Sequence, residues 1–284
     1  GSNLVTPVDF IDHSYKSKYS WDFDGTDDHI NLGRGSNVKL TTTDTSEGIG
    51  FTAACWVKDD AWDGSGSGYG SGFAIGCLAS GGWRIGFGDR HVMQMGVDNG
   101  SGSNTYLQTV GPYKTLHEGE ESYRANGWIH LCMTFDGRIL KTYVNGRVET
   151  GTYSTNVVDT GEDDRSLFYA TGQANVELLI GADGSDYLSG TTTIEIPWTG
   201  LVDDVAIWNK ALPLDAVSAI YESVNTNGVV LDLTQDNGDY TYSGDLTALY
   251  RANEGSGTTA VDESGSGNDG ELKNGTAYSS TLPS

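Results

Sequence analysis

The residues of this chain with chemistry to offer are side-chain oxygens in turns and aromatic rings in loops. Asp183 and Asp186 share the turn Asp183-Gly184-Ser185-Asp186, and Asp262, Asn268 and Asp269 share a Gly/Ser-rich stretch. Asp24 and Asp203 are two further candidates. Oxygen donors at loop positions suit calcium, a hard cation of flexible geometry. At each place the competing reading is a turn whose Asp bonds its own backbone. Trp62, Tyr69, Trp83, Tyr113 and Tyr187 offer apolar ring faces on which sugars stack, with Arg84, Asp89 and Arg165 as hydrogen-bonding partners. Trp83 also fits a core strand, and Tyr113 a turn after Pro112.

Catalytic arrangements are poorly served. The pairs Asp163-Asp164 and Asp203-Asp204 are adjacent, so within a strand their members point to opposite faces and not into one cleft. No Gly-x-Ser-x-Gly elbow is present, and the Gly-rich run 64–72 lacks the Lys and helix of a phosphate loop. His and Cys do not occur at paired zinc-ligand spacing. His130 lies inside an apolar run, where a core position is expected. The expectation is that the chain is not an enzyme.

The elements that must position these residues are short strands. Alternating apolar and polar residues, closed by Asp-Gly or Asn-Gly turns or a charged pair, are how an antiparallel sandwich is written. Strands are expected over Trp21–Asp24, His29–Leu32, Phe51–Asp59, Phe73–Ala79, Trp83–Gly88, Val92–Val97 and Tyr106–Val110. Further ones follow over Trp128–Phe135, Ile139–Val144, Leu167–Ala170, Glu177–Gly181 and Gly200–Trp208. One helix is expected over Pro213–Ser223, with Pro213 in its first turn and Val217, Ile220 and Tyr221 as its apolar stripe.

Composition narrows the partners. The 284 residues include 40 Gly and 5 Pro, which fits a chain of many turns. With 39 acidic and 16 basic residues the formal charge is −23. Nucleic acid and anionic membrane are therefore unexpected partners, since both need Lys and Arg to meet phosphates. No apolar run approaches bilayer length. Three cysteines do not make a disulfide framework.

Five phrases carry a family resemblance. They are Phe23-Asp24-Gly25-Thr26-Asp27-Asp28-His29-Ile30, the stretch 51–58, the stretch 128–137, Lys141-Thr142-Tyr143-Val144-Asn145-Gly146, and the stretch 200–209. In this order they resemble the laminin G-like, concanavalin A-type jelly roll, whose superfamily includes pentraxins and many lectins. The resemblance covers about 20–223. It implies an all-β antiparallel sandwich with a short helix after the last strand. It also implies binding of glycans or proteins, often with calcium, and a structural role for His130. By this resemblance Asp24 and Asp203 lie close together near the sandwich edge, and Asp183 and Asp186 match an acidic calcium loop of pentraxins. Pentraxins bridge two cysteines near Cys55 and Cys132, but Cys55 falls one residue late. A one-residue offset turns a strand side chain to the other face, so all three cysteines read as buried and small. The Glu-x-Asp-x-x-Glu strand of laminarinase-type relatives is absent.

The organisation expected is an extension over 1–19, the sandwich over 20–228, a linker over 229–245 and a tail over 246–284. The tail resembles the opening strands of a laminin G-like module, which suggests a permuted module closing its own sandwich. Such organisation resembles modules of phage virions and tails and of secreted adhesins. The expected function is non-enzymatic carbohydrate recognition assisted by Ca2+, with a glycan and other virion or adhesin subunits as partners. The setting expected is a virion or the cell surface. The alternatives are a structural virion or spacer module without sugar binding and, third, a glycoside hydrolase or polysaccharide lyase.

Overall fold

The computed structural model describes residues 14–34, 50–60, 72–77, 82–87, 93–98, 104–109, 127–148, 157–159, 177–185, 193–224 and 229–283. The first strands are β1 (Ser14–Lys16), β2 (Ser20–Asp24), β3 (His29–Asn31), β4 (Phe51–Asp59), β5 (Phe73–Gly76), β6 (Trp83–Gly86) and β7 (Met93–Asp98). Then come β8 (Asn104–Thr109), β9 (Ile129–Phe135), β10 (Ile139–Val144), β11 (Arg147–Val148), β12 (Val157–Asp159), β13 (Leu179–Ile180) and β14 (Asp183–Ser185). After β15 (Thr193–Glu195) and β16 (Thr199–Trp208) lies helix α1 (Leu214–Glu222). The last strands are β17 (Val229–Leu231), β18 (Leu246–Tyr250), β19 (Thr259–Ala260), β20 (Gly270–Lys273) and β21 (Ala277–Ser279). The expected strand over Leu167–Ala170 falls outside the described residues.

Two antiparallel sheets build the sandwich. The larger runs β11-β10-β9-β4-β16-β2-β21, with β18 beside β16 and β12 beside β10. The smaller runs β19-β20-β3-β13-β5-β6-β7-β8. Trp21, Phe23, Phe51, Ile75, Ile85 and Phe135 fill the core between them. On β2 the burial alternates, with Trp21 and Phe23 inside and Asp22 and Asp24 outside. Strand β4 is buried on both faces. Phe51, Ala53, Cys55 and Val57 join the inter-sheet core, whereas Ala54 lies in a second cluster on the outer face. A cover on that outer face explains why the strand reads as a continuous apolar run.

The cover is helix α1 together with the segment after it. Pro213 caps the helix, and Ala216, Val217 and Ile220 are its buried residues. The stripe differs from expectation at Tyr221, which is half-buried and stacks on Trp56 with ring centroids 5.7 Å apart. The segment 229–245, expected as a linker, is part of this layer. Strand β17 pairs with β1, and Leu233 and Tyr240 are buried. The Tyr240 hydroxyl donates to Leu233 O at 2.8 Å and accepts from Trp208 Nε1 at 3.0 Å. A run this polar is held by its own Tyr240 against Trp208 of β16, a contact invisible along the chain.

Tail strands enter both sheets. Tyr250 on β18 lies opposite Val205, Tyr278 on β21 opposite Trp21, and Leu272 on β20 opposite Ile30. Cys55 faces the inter-sheet core and Cys132 the outer cluster, and Cys55, Cys77 and Cys132 are all buried.

Candidate functional site

One end of the sandwich gathers described residues that border segments outside those described. Residues 195–199, which carry the chain from β15 into β16, are where they meet. Asp60 N donates to Thr199 O, Phe73 N to Ile196 O, and Phe87 N to Gly72 O. Gly72 approaches so closely that a Cβ there would lie 2.1 Å from Pro197 O, at φ +98°, which accounts for glycine at this position. Glu195 pairs with Asp183 across the β14–β15 hairpin. Segment 61–71 therefore begins and ends against residues 195–199, segment 88–92 begins beside Gly72, and segment 186–192 leaves from the Ser185–Thr193 end of the hairpin. They hold Trp62, Tyr69, Asp89, Asp186 and Tyr187, which lie outside the described residues, as do Tyr113 and Arg165.

The same end carries an acidic turn. Between β2 and β3 the chain folds so that one carboxylate oxygen from each of Asp24, Asp27 and Asp28 lies within 4.8 Å of the others. Asp24 Oδ1 accepts from Thr26 N at 2.7 Å, and Asp24 N donates to Asp28 Oδ2 at 3.3 Å. Asp24 is opposite Thr199 in register, and Gly25 packs against the Thr199 side chain with no room for a Cβ. Burial, with the charges of Asp24, Asp27 and Asp22, raises the Asp28 carboxyl above its usual range, and the Asp24 N–H opposes this. Three carboxylates held this close could ligate a divalent cation that relieves their repulsion. Asp27 and Asp28 stand in the quoted Phe-Asp-Gly phrase, yet sequence reasoning singled out only Asp24. Only the turn brings the three together.

Asp203 does not join Asp24. It lies four residues beyond Thr199, the partner of Asp24, or roughly 13 Å along the strand. Strand β16 bulges here, since Asp203 opposes Trp56 and Ala206 opposes Ala54, which leaves Asp204 and Val205 against Cys55 alone. Val202 and Val205 both point into the inter-sheet core, and Asp204 takes the extra position at φ +47°. The expectation of opposite faces for this pair therefore fails, because an inserted residue breaks the period of two. Both carboxylates are buried at the point where the neighbour of β16 changes from β2 to β18.

Each of the two holds one end of the chain. Asp203 Oδ2 accepts from Ser17 Oγ at 2.9 Å, just before β2. Asp204 Oδ1 meets Arg251 Nε at 2.7 Å, just after β18. Arg251 is 1% exposed, reaches Glu263 Oε2 at 3.2 Å and Leu231 O at 3.0 Å, and lies over the Tyr15 ring. Burial, then the Asp204 charge, raises the Asp203 carboxyl well above the usual range. Burial raises Asp204 too, against the pull of Arg251. This pair is a lock between the two chain ends.

The remaining candidates sort by their contacts. Trp83 is fully buried beside Phe51, so it offers no face to a sugar. Arg84 and Asp183, expected on a glycan and on a cation, bond each other at 2.9 Å, with Asp183 only 1% exposed. Asp262 accepts from Leu249 N, Ser264 N, Asn268 N and Asn268 Nδ2, and Asp269 Oδ1 accepts from Asp262 N. Four N–H donors around one carboxylate make this a backbone knot, the alternative weighed against a cation site. His130 packs on Trp56 at 5.2 Å, and burial pushes its imidazole down to about 3. It is a neutral core residue.

The arrangement of strands and the five phrases meet a family model at residues 24–218, described as the concanavalin A-like lectin/glucanases superfamily. The chain belongs to this superfamily. Among solved structures, a Bacteroides ovatus protein proposed to bind carbohydrate aligns over 95% of this chain at 16% identity and a TM-score of 0.54. This chain spans 61% of that relative's length. A heptameric pentraxin of Limulus polyphemus aligns over 76% of this chain and 88% of its own at 14% identity and a TM-score of 0.39. Domains LG4-5 of the mouse laminin α1 chain align over 75% of this chain and 47% of their own at 11% identity and a TM-score of 0.38. No curated protein matches the chain in sequence. What this superfamily member shares with the Bacteroides ovatus structure is the fold.

Proposed function

We propose that the chain is a non-enzymatic carbohydrate-recognition module assisted by calcium, working on a virion tail or as an extracellular adhesin. The observation that carries the reading is the convergence on residues 195–199. Both borders of the segment bearing Trp62 and Tyr69 meet there, with the border of the segment bearing Asp89 on Gly72, beside the acidic turn of Asp24, Asp27 and Asp28. Loops at the end of a rigid sandwich are a common seat of recognition, and aromatic faces with a cation beside them suit a polyhydroxylated ring. The Bacteroides ovatus protein, for which carbohydrate binding is proposed, has the same fold. Against catalysis stands the engagement of Asp203 and Asp204, the adjacent pair considered for acid–base work. Their contacts are to Ser17 and Arg251, away from this edge. The virion or adhesin setting rests on the acid-rich, Gly-rich composition and the placement of opening-type strands at the C-terminal end.

A glycan array probed with and without a calcium chelator tests this. The expected result is capture of a defined set of glycans, weakened by chelator and lost in Trp62→Ala and Tyr69→Ala. An array blank for the wild type, with the protein folded, replaces this reading with a spacer or assembly module. Release of reducing ends from laminarin, alginate or agar, abolished by changing one carboxylate, makes it an enzyme.

A further inference from the structure

We propose that Ile196 is a ligand-contacting residue of this edge, held exposed in a strained backbone conformation; this rests on the glycan reading above. Among the described residues, four other than glycine have positive φ: Asn145, Asp204, Asn274 and Ile196 at +45°. Asn and Asp tolerate the left-handed region because their short polar side chains bond locally. A branched Cβ does not, and a residue before proline, as Ile196 is before Pro197, normally favours extended backbone. Glycine or asparagine would make the same turn without that strain.

The conformation is imposed from both sides. Ile196 O accepts from Phe73 N at 3.1 Å, and Gly72 is pressed against the Ile196 and Pro197 carbonyls. Trp198 is fully buried beside Phe87, and its N donates to Gly181 O at 2.8 Å. Among the described residues, no core cluster takes in the isoleucine side chain. It is 36% exposed, one of three large apolar residues so exposed among those described. A strained, exposed aliphatic group between Gly72 and the acidic turn beside Thr199 fits contact with the apolar C–H face of a sugar ring.

The test compares Ile196→Asn and Ile196→Leu with wild type, by thermal melting and on the printed glycan array. The asparagine variant should melt a few degrees higher, because the strain is relieved, and should lose capture by about tenfold or more. The leucine variant, which keeps the apolar contact, should retain capture. Wild-type capture by the asparagine variant overturns the proposal, as does a melting temperature that does not rise. A folded wild type that captures nothing sinks the glycan reading and this inference with it. Capture by wild type that survives in the asparagine variant sinks this inference alone.

Discussion

Replacing Arg251 by methionine keeps most of the side-chain volume and removes the charge that the buried lock depends on. Asp204 Oδ1 then loses its 2.7 Å partner, while Oδ2 already lies buried without one. The carboxylate is 7% exposed, so water replaces little of the loss. Stranding one partner of a buried pair costs about 3–5 kcal/mol. The Glu263 contact, on a carboxylate 23% exposed, adds roughly 0–1 kcal/mol. At roughly 2–4 °C per kcal/mol for a domain of this class, Arg251→Met should lower the melting temperature by on the order of 10 °C. The double variant with Asp204→Asn should recover most of this, since no charge is then left stranded. The sign with pH follows. Without Arg251, burial alone acts on Asp204 and raises its folded pKa above the unfolded value, so stability falls as pH rises through the folded value. The deficit of Arg251→Met should therefore be larger at pH 8 than at pH 5. Melting by circular dichroism across pH, on all four members of the cycle, reads it. A deficit that is independent of pH and untouched by Asp204→Asn would refute the stranded-charge argument.

Asp203 has a Ser hydroxyl and a backbone N–H but no cation of its own, and its pKa is raised. Its stabilising protonated form is lost as pH rises, so Asp203→Asn should gain stability over wild type as pH climbs from 5 to 8 in denaturant titrations; a constant difference counts against this. Asp262→Ala should cost several kcal/mol, because buried Leu249 N and three further donors lose their acceptor. Its loss should be the same with and without chelator, whereas a calcium-dependent loss would make Asp262 a ligand. Asp24→Asn with Asp27→Asn should abolish calcium-induced stabilisation in thermal melts. If the shift persists, the acidic turn is not the site. Truncation after Asn237 removes Ala248, Tyr250, Ala260 and Leu272 from the inter-sheet core. We expect insoluble or molten protein, and a soluble, cooperatively melting product would show that the tail is dispensable.

Much of the fold was legible because its signal is local. Strands β4 and β10 and the helix after β16 fall where alternation, turn residues and Pro213 put them, to within a residue or so. The fate of Cys55 and Cys132 was legible too, since side-chain direction in a strand follows from counting residues. The linker reading of 229–245 failed for a different reason. Its burial comes from Trp208 and from β1, at separations a polar sequence does not advertise. Asp203 and Asp204 failed because a bulge adds one residue to one strand. Nothing in Val-Asp-Asp-Val announces that, and the bulge sits where one neighbouring strand gives way to another.

For the candidate site the division is sharper. The amino-acid sequence by itself determined residue types: carboxylates in turns, aromatic rings in Gly/Ser-rich runs, and an acid excess that disfavours nucleic acid. Those follow from the chemistry of single side chains and from spacings of a few residues. Only the tertiary structure decided which of them meet. It paired Arg84 with Asp183, saturated Asp262 with N–H groups, buried Trp83, and folded Asp27 and Asp28 onto Asp24. It also brought both borders of segment 61–71 to residues 195–199 and set Ile196 at that junction with a left-handed backbone. A site assembled from strand ends is set by sheet order and register. In an antiparallel sandwich those join residues more than a hundred positions apart, beyond the reach of any local pattern.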